Sequence, residues 1–92
     1  MAREAAVLKT QTFQLNAPEA TKVLLAGDFT DWQKRAIPLK KGNDGVWIVT
    51  VQLAPGTHNY LFMVDGEWRE DPECPTRVPN PYGTFNMVRK VA

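Results

Sequence analysis

The chain is poorest in the residues that hold metals and make nucleophiles. It has one cysteine, Cys74, and one histidine, His58, so no internal disulfide and no Cys/His zinc cluster can form. A Cys–His nucleophile pair would need Cys74, in a proline-rich stretch, to reach His58 together with an orienting group, and nothing in the spacing supports that. His58 falls instead on the inward face of an expected strand, the usual place of a hydrogen-bonded structural histidine. No glycine-rich phosphate loop is present, since Gly27 stands alone and the charge of Asp28 after it repels phosphate. Charge of one sign is lacking too. The 11 Lys and Arg are scattered among 10 Asp and Glu, a formal net charge of +1, which removes the electrostatic basis for nucleic acid or an anionic membrane as a partner. No apolar run approaches the ~18 residues of a membrane-spanning helix. Residues Met1 to Ala6 hold no continuous apolar segment of the signal-peptide kind. With a single cysteine, this points to a reducing, cytoplasmic setting.

Helical periodicity is also missing. No ten-residue amphipathic period with caps occurs, and residues 2–8 offer at most one turn that would fray. What is present is strand alternation. At 92 residues and 43% apolar content the chain is one globular domain with one modest core and little room for a deep, enclosed active site. Thr12 to Leu15 alternates and ends in Asn16-Ala17-Pro18-Glu19. Lys22 to Phe29 reads as a second strand with Val23, Leu25 and Phe29 on one face. After the Asn43-Asp44-Gly45 turn, Val46 to Leu53 is the clearest strand, with Trp47, Val49, Val51 and Leu53 inward and Ile48, Thr50 and Gln52 outward. Ala54-Pro55-Gly56-Thr57 fits a type II turn. His58, Tyr60, Phe62 and Val64 then share a face up to the two-residue hairpin signal Asp65-Gly66, which folds Glu67 to Glu70 back. Asp71 to Tyr82 carries prolines at 72, 75, 79 and 81 and is expected to be an irregular loop. Thr84 to Val91 is the last strand, with Phe85 and Met87 inward; its alternation breaks between Val88 and Val91, which suggests a bulge or an edge position. Short strands at regular spacing, separated by Gly and Pro, predict an all-β sandwich of about seven antiparallel strands.

Against that background two tryptophans stand out. Trp32 ends Gly27-Asp28-Phe29-Thr30-Asp31-Trp32, and Trp68 follows the Asp65-Gly66 turn. Trp47, on the inward face of the best strand, is assigned to the core. Indoles at Trp32 and Trp68 are either rim core or a flat platform for apolar faces such as those of sugar rings. The carboxylates Asp65, Glu67, Glu70, Asp71 and Glu73 are the raw material of a glycosidase pair, but Asp65 is needed by the turn and the others read as solvated. No catalytic residue, metal ligand or cofactor site follows from the sequence.

Several segments together carry a family resemblance. They are Val23 to Trp32, Gly45-Val46-Trp47, Leu53 to Trp68, Asp71-Pro72 and Gly83-Thr84-Phe85-Asn86. In that order and spacing they resemble carbohydrate-binding module family 48, which includes the glycogen-binding domain of the AMP-activated protein kinase β subunit and the N-terminal domains of isoamylases and branching enzymes. The likeness runs from about residue 10 to 91, leaving residues 1–9 as an N-terminal tail before a module at 10–92. It implies a small immunoglobulin-like (early-set) β-sandwich and non-catalytic binding of α-glucans such as glycogen, starch and maltooligosaccharides. It also implies that Trp32 and Trp68 stack on glucose rings, that Thr84 and Asn86 make polar contacts, and that Tyr82, the bulky residue before Gly83, reaches into the sugar coil. One departure is clear: the kinase branch has a lysine where this chain has Leu61, so a charge-assisted hydrogen bond to a sugar hydroxyl is lost. A shallow site of two stacked aromatics and a few hydrogen bonds implies a dissociation constant of order micromolar to millimolar. The alternative is a protein-docking sandwich, associating with a catalytic domain or another subunit through an apolar outer face of Leu24, Ile48, Leu61 and Met63. The start at methionine and the short tail favour a free-standing module.

Overall fold

The structure is a computed structural model that describes residues 7–92, so the turn considered for residues 2–8 lies largely outside the described residues. Among the described residues nine strands follow one another: β1 (Lys9–Asn16), β2 (Val23–Gly27), β3 (Ile37–Pro38), β4 (Lys40–Lys41), β5 (Val46–Leu53), β6 (Gly56–Val64), β7 (Glu67–Arg69), β8 (Arg77–Pro79) and β9 (Phe85–Val91). A four-residue 3-10 turn, Trp32–Arg35, sits between β2 and β3. The strands pair antiparallel in two sheets, one in the order β1-β5-β4 and the other β3-β2-β6-β9-β8, with β7 also on β6. The count exceeds the expected seven because β3 and β4 are two-residue pairings either side of buried Leu39, too short to leave an alternation in the sequence.

The two sheets close on a core that follows the alternation. Phe13 and Leu15 of β1, Trp47 and Leu53 of β5, Val23 and Leu25 of β2, Tyr60, Phe62 and Val64 of β6, and Met87 and Val91 of β9 are buried in one cluster. Phe13 meets Tyr60 edge-on at 4.8 Å between ring centres, which ties the two sheets together. Trp47 is core as expected, and its Nε1 donates to the Ala17 carbonyl at 2.8 Å, which satisfies the one polar atom it buries. His58 is half-buried, with Nε2 2.8 Å from the Ala54 carbonyl oxygen. At the Asp65-Gly66 hairpin both residues have positive φ (50° and 88°), as a type I′ turn requires. The Asp65 carboxylate accepts from the backbone N–H groups of Thr21 and Lys22 at 2.9 and 2.8 Å, fastening the hairpin to the start of β2.

Several expectations need correction. The second strand stops at Gly27; Phe29 lies in the following turn, although its ring still packs on Phe13. A Cβ at Gly27 would stand 2.5 Å from the Asn59 carbonyl oxygen, so only glycine lets β2 end this close to β6. Residues 54–57 do not form a type II turn. The chain bends at Pro55, and Gly56, with φ 135°, already pairs with Val91 as the first residue of β6. The proline-rich stretch is not wholly irregular, because Arg77–Pro79 pairs with β9 as an edge strand ending on a proline. β9 has no bulge, and its register with β6 is unbroken from Gly56↔Val91 to Tyr60↔Met87. Its alternation falters because Arg89 occupies an inward position. The guanidinium lies 4.0 Å from the centre of the Phe13 ring and donates to Gln11 Oε1 and the Thr12 carbonyl, so its charge is satisfied where the two sheets part. Phe85, expected inward, is exposed, with the Arg77 guanidinium 4.1 Å over its ring.

Asp71 is not solvated. It is buried and accepts from the Tyr60 hydroxyl at 2.7 Å and the Glu73 N–H at 3.0 Å. The apolar outer face of Leu24, Ile48, Leu61 and Met63 also does not form. Ile48 points outward from the other sheet, opposite Lys40, whereas Leu24 and Met63 are half-buried cross-strand partners and Leu61 is buried.

Candidate functional site

The outer face of the larger sheet carries one broad concavity of about 880 Å³. Its floor follows from how β6 shares an edge. Phe62 to Val64 pair with β7, Gly56 to Tyr60 pair with β9, and Leu61 falls between the two. Asn59, Leu61 and Asn86 line this floor, and the chain between β7 and β9 passes around it.

Trp32 forms one wall. The turn after Gly27 is organised by the buried Thr30 hydroxyl, which accepts from the Gly27 N–H at 2.9 Å and lies 2.8 Å from the Trp32 carbonyl oxygen. Asp31 and Trp32 both adopt left-handed backbone, φ 54° and 57°. A bulky residue in that region costs about 1–3 kcal/mol and persists where the surroundings hold it, a pattern that clusters at binding sites. Trp68 stands on β7 opposite Met63, is 45% exposed, and meets Trp32 edge-on, with ring centres 6.3 Å apart and planes at 78°. The two indoles therefore form a corner rather than one flat plate.

The opposite wall is the loop from β8 to β9. Tyr82 at its tip is 87% exposed, beside Gly83 with φ 83°. Thr84 and Asn86 follow, Thr84 before β9 and Asn86 as its second residue, opposite Val78 of β8. All six residues singled out in the sequence, Trp32, Leu61, Trp68, Tyr82, Thr84 and Asn86, line this one concavity. Leu61 departs from the picture of an exposed side chain, being only 7% exposed. Sequence reasoning missed Asn80. Its side chain bonds to Thr84 and Asn86 and to the backbone N–H groups of Tyr82 and Thr84. The signal was available as Asn80-Pro81, a turn-initiating dipeptide. Asp28 and Glu70 add carboxylates to the lining; Asp28 accepts from the Asn59 N–H at 3.0 Å, and Glu70 pairs with Arg77 at 3.1 Å.

A second groove of about 500 Å³ lies beside Tyr60, Asp71, Cys74 and Arg89, and holds none of those six residues. Its buried polar groups are held by the protein. Tyr60 bonds Asp71, and the Cys74 thiol lies 3.3 Å from the carbonyl oxygens of Thr76 and Val88. Burial, and then the adjacent Asp71 carboxylate, push the Tyr60 hydroxyl far above its ordinary pKa. Cys74 and His58 have separate partners and do not form a pair. Among the described residues no group of three or more His, Cys, Asp or Glu side chains is placed to hold a metal ion, and no helix is long and apolar enough to cross a membrane.

A small antiparallel sandwich with an aromatic corner and amide side chains on one open face has the architecture of a carbohydrate-binding module. Comparison with known proteins makes this specific. The family described as "Glycogen recognition site of AMP-activated protein kinase" matches residues 10–92, and the chain belongs to it. It is 36% identical over 70 residues to the 5'-AMP-activated protein kinase subunit beta-1 of Sus scrofa, covering 76% of this chain and 54% of that one. The Homo sapiens subunit beta-1 is likewise 36% identical, with 24% of its length covered. "Protein PTST homolog 2, chloroplastic" of Arabidopsis thaliana is 39% identical over 56 residues, 61% of this chain and 10% of that protein. The chain thus spans about half of the pig sequence and much less of the other two. Among solved structures, the apo pullulanase of Paenibacillus barengoltzii superposes with a TM-score of 0.58 over 98% of this chain and 15% of that one; at 22% identity the likeness is one of fold.

Proposed function

We propose that the concavity binds α-glucan chains without catalysis. The observation that carries this reading is the edge-on corner of Trp32 and Trp68, with planes at 78°, in the same concavity as Leu61 and Asn86, in a chain of the glycogen-recognition family. Each glucose unit has an apolar C–H face and a rim of hydroxyls. Two indole faces at 78° match successive rings of a coiled chain, whose faces turn from unit to unit, better than the near-parallel faces of a flat β-1,4 ribbon. Asn86, Thr84 and the two lining carboxylates offer donors and acceptors to the hydroxyl rims. The non-catalytic reading is supported by how those carboxylates are engaged: Asp28 accepts from the Asn59 N–H and lies 3.8 Å from His58 Nδ1, and Glu70 pairs with Arg77.

The test is a titration with maltoheptaose and β-cyclodextrin, followed by tryptophan fluorescence, with cellohexaose as the contrast. Saturable changes with the α-linked sugars only are expected; no change up to millimolar sugar would overturn the reading. A protein partner is a further part of the proposal, supported by relatives that are named as kinase subunits. Strictly monomeric, non-adhesive behaviour in light scattering would count against it. We also place the protein in the cytoplasm, on the strength of its single free thiol; recovery in an organelle fraction, such as the plastid that the Arabidopsis relative's name indicates, would overturn this.

A further inference from the structure

We propose that Asn80 is a positioning residue of this site: its amide dictates which end of the Asn86 amide is offered to the ligand. The proposal rests on the glucan reading above and adds a hydrogen-bond polarity to it. The argument starts from groups that cannot turn round. The backbone N–H groups of Tyr82 and Thr84 both point at Asn80 Oδ1, at 3.0 and 3.1 Å. Backbone N–H groups are donors only, so they fix the oxygen of the Asn80 amide toward the loop and its nitrogen away from it. That nitrogen lies 2.8 Å from Thr84 Oγ1 and 3.1 Å from Asn86 Oδ1. A donor facing Asn86 selects the oxygen of its amide, which leaves Asn86 Nδ2 on the other side. Asn86 Nδ2 has no protein partner among the described residues and is not a buried unsatisfied atom, so it opens onto the concavity that Asn86 lines.

The polarity of two backbone groups is thus passed through two amides to the ligand. Both N–H bonds of Asn80 are used in doing so, and its oxygen faces the two backbone N–H groups and the Thr84 hydroxyl, so a flip of its amide would set donors against the backbone donors. The group that meets Asn86 must accept, as a sugar hydroxyl, ring or glycosidic oxygen can. The Thr84 hydroxyl lies 2.8 Å from Asn80 Nδ2 and 3.0 Å from Asn80 Oδ1, so Asn80 holds it on both sides and Asn86 is the side chain left to donate to the ligand.

Asn80→Asp tests this. It keeps acceptors for the two backbone N–H groups and replaces the donor facing Asn86 with an oxygen. Asn86 must then turn its Nδ2 inward, and the ligand loses its donor. Affinity for maltoheptaose should fall about fivefold, equivalent to one net hydrogen bond. In an Asn86→Ala background the same Asn80→Asp change should leave affinity unaltered. An equal loss with and without Asn86, or no loss at all, would overturn the proposal. A second readout needs no sugar: in the free protein the Asn86 side-chain NH2 protons should exchange with water as open groups in the wild type and become protected in Asn80→Asp. Protection already present in the wild type, or no change in the variant, overturns the positioning role. If the wild type fails to bind maltoheptaose while this exchange pattern holds, the glucan reading has failed and the amide orientation has not.

Discussion

Trp68→Ala is the most informative single change, because its effect can be worked out from exposure. Trp68 is 45% exposed. Of an indole side chain of about 250 Å², roughly 110 Å² is therefore open to solvent, and about half of that is the ring face a sugar would cover. The sugar loses a similar area of its own, so stacking removes roughly 110 Å² from water. At about 25 cal/mol per Å² this is at most about 2.8 kcal/mol. Ordering the sugar brings it nearer to about 2 kcal/mol, or roughly thirtyfold in dissociation constant. The assay is calorimetric titration of maltoheptaose into wild type and variant. Trp68 also packs on Trp32 and lies opposite Met63, so a urea midpoint and the far-ultraviolet circular dichroism must show that the variant remains folded. An affinity loss of under about threefold in a folded variant would refute the stacking argument.

Trp47→Ala should behave in the opposite way, costing about 3–5 kcal/mol of stability by urea unfolding, since it removes a core indole and its bond to the Ala17 carbonyl. Leu61→Lys should tighten glucan binding about tenfold by placing an ammonium at the floor of the concavity, a gain in the range of a charge-assisted bond, and should lower the unfolding midpoint; unchanged or weaker binding would count against the floor being in contact with sugar. The raised pKa of Tyr60 gives a pH dependence with a definite sign. The unfolded chain loses the tyrosine proton near pH 10 while the folded chain keeps it, so stability is fully present below pH ~10 and falls as pH rises beyond it. Urea unfolding at pH 9 and pH 11 should show a larger loss for the wild type than for Tyr60→Phe; equal losses would mean that burial of this hydroxyl is not the cause.

Much of the fold was legible because its signals are local. β5 shows strict alternation with Trp47, Val49, Val51 and Leu53 on one side, and the Asp65-Gly66 pair permits the positive φ angles of a type I′ turn. Period 2 gives the parity of a residue, and parity was right for Ile48, which is exposed, but not enough for Leu61, which is buried within the core cluster. Parity does not say which sheet a strand joins. A sandwich has two outer faces, and Ile48 and Leu61 lie on different ones. Nor does it say what covers a residue of outward parity: Leu61 lines the concavity yet is buried and packs within the core cluster. Asp71 was misread, and Arg89 passed over, for a related reason. Each is charged yet turned inward, and what makes that tolerable comes from distant parts of the chain, the Phe13 ring and Thr12 carbonyl for one and the Tyr60 hydroxyl for the other.

The six candidate residues were legible only as an ordered pattern; the reason they meet lies in β6. Tyr60 turns inward and its hydroxyl holds Asp71, the second residue after β7 ends. That bond draws the chain off the sheet just where β7 would otherwise run on toward β9. The β6 edge is consequently unpaired at Leu61, and the outer face above it stays open between the two strands. The chain must then travel from Asp71 to Phe85 before rejoining β6 through β9, and that excursion supplies Asn80, Tyr82 and Thr84 to the far wall. A buried hydrogen bond on the core side of β6 thereby governs the breadth of the concavity on its other side. Core and site are two faces of the same strand, and the stability of Tyr60–Asp71 and the shape presented to a glucan are set together.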